Sequence, residues 1–159
     1  MVTLFNDEQL LLIEKSRQMM ATWTIMACCL WEAMFTPARR IFVQSKKELD
    51  ANNLVDRCKF IYDQLPQAMK DQYPMKEPRA YLKLEFPKWH SIIQGVPQGS
   101  DMLRQYTASR VVSDEMAFQE KSQDAYISLK PTLDGGGSFV GISSPNGKEF
   151  FYLLAKNKI

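Results

Sequence analysis

Arg110-Val111-Val112-Ser113-Asp114-Glu115-Met116-Ala117-Phe118 sets two adjacent carboxylates at the end of a short apolar run. Such a run reads as a buried strand, with the acids where it emerges at the edge of a sheet. Two meanings are open. Many soluble proteins carry solvated charges at a strand end for no further reason. In nucleoside triphosphatases the same layout is the Walker B element: its first acid helps hold Mg²⁺ and its second orients or activates the attacking water. The choice between them rests on what the rest of the chain supplies.

Composition narrows the field. The chain has 159 residues, enough for one domain with a sizeable core, and 45% hydrophobic and 24% charged residues are ordinary for a globular protein. A net charge of +2 argues for neither nucleic acid nor membrane by itself. One histidine, His90, leaves no histidine-based metal site or triad to assemble. Cys28, Cys29 and Cys58 are odd in number and lack CxxC spacing, so they read as reduced core thiols of a cytosolic protein. Residues 1–6 are too short for a secretory signal, and Asp7, Glu8, Glu14 and Lys15 follow them. Met19–Phe35 is apolar nearly all round but contains Glu32 and falls short of the roughly 20 apolar residues of a membrane span. It is expected to be a buried helix.

Taken in order, Gln9–Ile13 is a short apolar run that fits a central parallel strand, with little room for anything before it. The buried helix follows and stops before Pro37. Arg40–Gln44 is a second strand. Ser45 and Glu48 form a capping-box signature, and Leu54, Cys58, Ile61 and Leu65 mark a helix from about Lys46 to Gln64. Strand, helix, strand, helix favours a parallel sheet with right-handed crossovers. Residues 67–79 are expected to be a loop, Tyr81–Phe86 a strand, Trp89–Gln94 its hairpin partner, and Gly95–Ser100 a turn. A helix from about Gln119 to Leu129, stopped by Pro131, a turn at Asp134–Gly137, a strand at Ser138–Ser143 and the start of a helix at Glu149–Ala155 complete the reading.

A strand running through a loop into a helix is also the arrangement that binds phosphates, because free N–H groups and the helix dipole converge on an anion there. The usual loop is G-x-x-x-x-G-K-[ST]. The eight residues ending at Thr22 are Lys15-Ser16-Arg17-Gln18-Met19-Met20-Ala21-Thr22. The hydroxyl position is kept, but Lys15 stands for the first glycine, Met20 for the second and Ala21 for the lysine. Spacing alone leaves this a basic loop before a buried helix.

The same residues resemble the deviant Walker A of the large terminase subunit, the DNA-packaging ATPase family of tailed bacteriophages. Val111–Phe118 resembles that family's Walker B. Gly136–Gly147 (GGSFVGISSPNG) resembles its third motif, a strand ending in a small-residue element that couples hydrolysis to movement. Gly99-Ser100-Asp101-Met102-Leu103-Arg104 fits a glycine-rich turn and an arginine that often precede the acidic pair.

The resemblance implies an α/β, RecA-like (ASCE-type) P-loop NTPase, with a mainly parallel sheet flanked by helices. It implies ATP and Mg²⁺ as cofactors and hydrolysis driving viral DNA into a procapsid. Lys15 and Arg17 would contact phosphate oxygens, and either is open as the main cation. Ser16, Gln18 and the backbone of Met19, Met20 and Ala21 would complete the cradle. Thr22 and Asp114 would hold the metal and Glu115 would be the catalytic carboxylate. Ser143, Ser144 and Pro145 would sense the γ-phosphate. Arg104 would be either an arginine finger given to a neighbouring subunit or a surface ion-pair partner.

Implied partners are double-stranded DNA, portal protein, the small terminase subunit and further copies in a ring, with no membrane. The implied location is the host cytoplasm, transiently docked on the procapsid. The chain is expected to be a single ATPase domain over residues 1–159, without the upstream adenine-binding region and the C-terminal nuclease that family members carry. An inactive terminase remnant and another RecA-like DNA-dependent ATPase or helicase half-domain are the competing expectations.

Overall fold

The computed structural model describes residues 1–16, 19–99, 102–147 and 149–156, without the side chains of Met102 and Arg104. Six strands form one sheet: β1 (Leu10–Glu14), β2 (Arg40–Ser45), β3 (Lys83–Phe86), β4 (Ser91–Pro97), β5 (Arg110–Asp114) and β6 (Ser138–Ser143). Their spatial order is β1-β6-β5-β2-β4-β3, and all neighbours are parallel except the β3–β4 hairpin. Parallel strands require crossovers, and α2 (Ala21–Phe35), α3 (Glu48–Asp63) and α6 (Ser122–Asp134) provide them. The expected α/β class with a mainly parallel sheet is what forms.

Alternating side chains put each strand into two cores. Ile41, Val43, Val112, Val140 and Ile142 face one side, with Ile25, Met26 and Leu30 of α2 and Val55 and Cys58 of α3. Phe42, Val111 and Phe139 face the other, with Leu129 of α6 and with Phe151 and Leu154 of α7 (Phe150–Ala155). Burial on both faces is why β2, β5 and β6 lack polar alternation, whereas the edge strand β3 alternates Lys83, Leu84, Glu85 and Phe86. Each fully buried large apolar side chain contributes about 1.5–3 kcal/mol.

Several local expectations are corrected. β1, expected as a central strand, lies at the edge of the sheet with Leu10 exposed, because only β6 pairs with it. A helix, α1 (Val2–Asp7), precedes β1, because Phe5 is fully buried and anchors it. The Ser45–Glu48 capping box does not form: Ser45 ends β2, and Lys47 caps α3 without a side-chain bond. Residues 67–72 form a short helix, α4 (Gln67–Gln72), rather than loop. β4 runs on through Gly95 to Pro97 instead of turning there. Its glycine is needed for packing, since a Cβ at Gly95 would stand 3.0 Å from the Ala51 carbonyl oxygen of α3. Helix α6 starts later than expected and passes through Pro131, near its end, to reach Asp134. Ile127, four residues before the proline, is exposed, so its freed carbonyl can be hydrated. The short α5 (Met102–Gln105) follows β4.

Glu32 explains how a carboxylate sits in an apolar helix. It is buried and accepts a 2.7 Å hydrogen bond from Arg110 Nε, while Arg39 Nε lies 3.3 Å from its other oxygen. Arg110 also donates to the Phe5 carbonyl at 2.8 Å and lies 3.7 Å over the Phe5 ring. One guanidinium thus ties α1, α2 and the start of β5 together.

Candidate active site at the carboxyl edge of the sheet

The carboxyl ends of β1, β6, β5 and β2 lie side by side, where open parallel sheets place their ligand sites. Lys15 leaves β1, Ser143 ends β6, Asp114 ends β5 and Ser45 ends β2. Between the lysine strand and the acid strand lies one other strand, β6.

Thr22 occupies the second position of α2 and is buried. Its Oγ1 donates a 3.0 Å hydrogen bond to Asp114 Oδ1. Lys15 Nζ donates to Thr22 Oγ1 at 3.1 Å, and stands 2.9 Å from Glu115 Oε1 and 3.8 Å from Asp114 Oδ1. Two stretches distant in sequence, one holding Thr22 and one the acidic pair, therefore meet around one ammonium. The Lys15 and Asp114 side chains are 14% and 11% exposed, whereas Glu115 is 40% exposed and faces the groove. Burial raises the Asp114 carboxyl above its ordinary value, opposed by the Lys15 charge and the Thr22 hydrogen bond and reinforced by Glu115.

Glu115 adopts the left-handed region, φ 50° and ψ 43°, which turns the chain sharply out of β5 into a short 3₁₀ turn. That turn separates the directions of the two acids, one held inward and one presented outward. It is fixed from behind. Gln119 Nε2 donates to the Asp114 carbonyl at 2.8 Å and to Ser113 Oγ at 3.0 Å. Ser143 Oγ accepts from Ala117 N–H at 3.1 Å, and Asn146 Nδ2 donates to the Ala117 carbonyl at 3.0 Å. Ser144 Oγ donates to Glu115 Oε2 at 3.3 Å. The Lys15 N–H donates to the Ser143 carbonyl at 2.9 Å, extending the β1–β6 ladder to the lysine.

Of the expected residues, Lys15, Thr22, Asp114, Glu115 and Ser144 come together, with Ser143 directly behind them. Met20 has φ 56° and begins α2 without a side-chain cap, so the helix start offers open backbone donors at Ala21 and Thr22. Ser16, Met19 and Met20 have exposed side chains. Pro145 lines a different groove, with Leu12 and Phe151. Arg17, Gln18 and the Arg104 side chain lie outside the described residues. Sequence reading missed Gln119 and Asn146, which support the acids' turn, and Lys46, Asn53 and Arg57, which line the same groove of about 380 Å³. A polar residue four positions after the acidic pair was the only cue for Gln119.

The donor set fits a small hard cation. A threonine hydroxyl and a carboxylate 3.0 Å apart are the oxygen types Mg²⁺ takes alongside waters and phosphate oxygens. No cluster of three or more His, Cys, Asp or Glu side chains suited to a metal occurs among the described residues.

No family model matches the sequence, and no curated protein matches it. Solved structures do. The ATPase domain of the large terminase of Thermus phage P74-26, in a mutant form, superposes with TM-score 0.71 at 19% identity, over 90% of this chain and 62% of that one. The HK97 bacteriophage large terminase gives TM-score 0.74 at 11% identity, over 94% of this chain and 32% of that one. The large terminase of a thermophilic bacteriophage, solved in complex with ADP, gives 0.70 at 15% identity, over 95% and 39%. This chain spans less than two thirds of each of these. The chain therefore shares its fold with these bacteriophage large terminases, the ATPase domain among them.

Proposed function

We propose that the chain is the ATP-binding and ATP-hydrolysing core of a phage DNA-packaging motor, a single ATPase domain over residues 1–159. The observation that carries this reading is the Thr22–Asp114 hydrogen bond, which joins the start of α2 to the end of the acid strand across β6. The fold shared with terminase ATPase domains, one of them solved with ADP, supports it.

In this reading the phosphates lie against the uncapped start of α2, drawn by its open N–H groups and dipole. Lys15 supplies a positive charge from β1. Ser16, Arg17, Gln18, Met19, Met20 and Ala21 form the rest of the cradle, with Arg17 giving a second cation. Thr22 and Asp114 are the residues that would hold Mg²⁺, which when bound neutralises charge developing on the phosphate oxygens. Glu115, exposed to the groove and steadied by Ser144, accepts the proton of the water that attacks the terminal phosphorus.

Ser143 and Ser144 touch both sides of the site, through the Lys15 N–H and the Glu115 carboxylate, so they are placed to transmit loss of the terminal phosphate. Pro145 stiffens the chain that leaves them. Arg104 serves a neighbouring copy as an arginine finger. Double-stranded DNA, portal protein, the small subunit and a ring of copies are the partners of such a motor, which works at the procapsid in the host cytoplasm. Among the described residues, no helix is long and apolar enough to cross a membrane.

Phosphate release from Mg·ATP, with and without double-stranded DNA, tests the reading against Glu115→Gln, alongside nucleotide binding by both proteins. Binding by both and turnover by the unsubstituted protein alone is the expected result. Binding without turnover in either identifies a nucleotide-binding remnant, and no binding at all overturns the site assignment.

A further inference from the structure

The groove that contains Lys15, Thr22, Asp114 and Glu115 has a second side, formed by the end of β2 and the outer face of α3. Two cations stand there. Lys46 Nζ is 3.8 Å from Glu120, an exposed partner. Arg57 differs: among the described residues no carboxylate lies in ion-pair reach of it, and its guanidinium sits 5.3 Å from the centre of the Trp23 ring. Trp23 immediately follows Thr22 in α2 and meets Phe60 of α3 edge-on at 5.9 Å between ring centres. Arg57 is thus a half-buried planar cation held by stacking rather than by an anion, on the groove that carries the two acids. Its charge reaches Asp114, where it favours the ionised form.

Across the sheet the order is β1, β6, β5, β2, so the acids of β5 lie between Lys15 and the α3 side. The phosphate that reacts is the one beside Glu115. In the ATP-site reading, a cation beyond that strand is placed to meet oxygens of this phosphate from the side opposite Lys15. A guanidinium is suited to this, because its fork binds two phosphate oxygens at once and stacking leaves its donors free. Asp50 on the same side disfavours an anion, which makes an uncompensated arginine there the more informative. No motif covers Arg57, in the middle of a 16-residue helix.

We infer that Arg57 reads the terminal phosphate of a nucleotide bound in this groove, giving the site a preference for nucleoside triphosphate over diphosphate from within one chain. The inference rests on the ATP-site reading above. The bland alternative is that Arg57 only shields Trp23 and helps α3 pack on α2.

Binding of a non-hydrolysable ATP analogue and of ADP, each with Mg²⁺, separates these in the full chain and in Arg57→Ala and Arg57→Lys. Loss of a charge-assisted phosphate contact predicts that Arg57→Ala weakens the ATP analogue by about 10- to 100-fold while ADP affinity moves by no more than about 2-fold. Arg57→Lys keeps a cation near Trp23 but not the fork, so it restores part of the preference and carries the test if the alanine variant does not fold. An unchanged ratio of the two affinities, or equal weakening of both ligands, overturns the inference and leaves the ATP site standing. If the unsubstituted protein binds neither nucleotide, the site reading falls first and this inference with it.

Discussion

Lys15 Nζ stands 2.9 Å from Glu115 Oε1, so the cation at the end of β1 and the exposed acid after β5 form an ion pair across the intervening strand. The same ammonium donates to Thr22 and neighbours Asp114. One lysine therefore stands beside an oxygen of each residue proposed to serve the metal and the water. Removing it exposes two carboxylates to each other and to solvent. In Lys15→Met, Mn²⁺ should bind the nucleotide-free protein about 10-fold more tightly by electron paramagnetic resonance, while ATP affinity falls by about 10- to 100-fold. Unchanged Mn²⁺ affinity would show that the lysine does not guard the acids.

Burial gives Asp114 a cost to stability. Its carboxyl is raised above its ordinary value chiefly by burial. A group whose folded pKa is raised contributes stability below its unfolded pKa and loses it as pH rises through the folded pKa, so at neutral pH ionised Asp114 weakens the fold. Asp114→Asn should therefore melt at or above the temperature of the unsubstituted protein while losing Mg²⁺-dependent nucleotide binding. A gain of about 1 kcal/mol would appear as about 2–4 °C. A marked fall in melting temperature would contradict the burial argument.

Arg110 and Glu32 behave in the opposite sense. Both are buried, and the arginine also holds the Phe5 carbonyl. Truncating either partner strands a charge in the core, at a cost of about 3–5 kcal/mol. Urea unfolding of Arg110→Met should lose this amount. Glu32→Gln with Arg110→Met should lose less than the two single changes added together, because neither charge is then left alone.

The three cysteines set an alkaline limit. All are free and buried, and Cys58 donates to the Met26 carbonyl at 3.5 Å. Burial pushes the Cys58 thiol up from about 9 to about 12, and pushes Cys29 well above its ordinary value. The resulting stability is fully present below the unfolded thiol pKa and is lost as pH rises toward the folded one. The melting temperature should fall progressively above about pH 9, and Cys58→Ala should flatten that fall while lowering stability at neutral pH. Thiol reagents at pH 8 should label Cys29 and Cys58 only on unfolding.

Much of the architecture was legible because it rests on local pattern. The apolar runs at β2, β5 and β6 and the helix between Thr22 and Phe35 are continuous signals that two-sided burial requires, whereas the run at β1 marks a strand correctly but not its place at the sheet edge. The misreadings have long-range causes. Gly95 and Pro97 look like a turn, yet β4 continues through both. The approach of α3 demands the glycine, and Gln98, just beyond the proline, donates its N–H to the Ser45 carbonyl. Helix α1 depends on Phe5 and on Arg110, 105 residues away, a contact no window of sequence contains. In the site, Lys15, Thr22 and the two acids were found by residue type and order. Arg57, Gln119 and Asn146 were not, because an arginine in a helix or an amide in a loop acquires meaning only from what it faces.

Strand β6 also sets a dimension. Neighbouring strands lie about 4.7–4.9 Å apart, so two such steps separate β1 from β5 by roughly 10 Å. That gap is a property of backbone hydrogen bonding, and no side-chain replacement narrows or widens it. The groove is a gauge cut by the sheet itself: lysine and acids can exchange partners across it, but their strands cannot drift apart or close together without breaking a ladder. A chain that had lost sequence identity almost everywhere else would still keep this width.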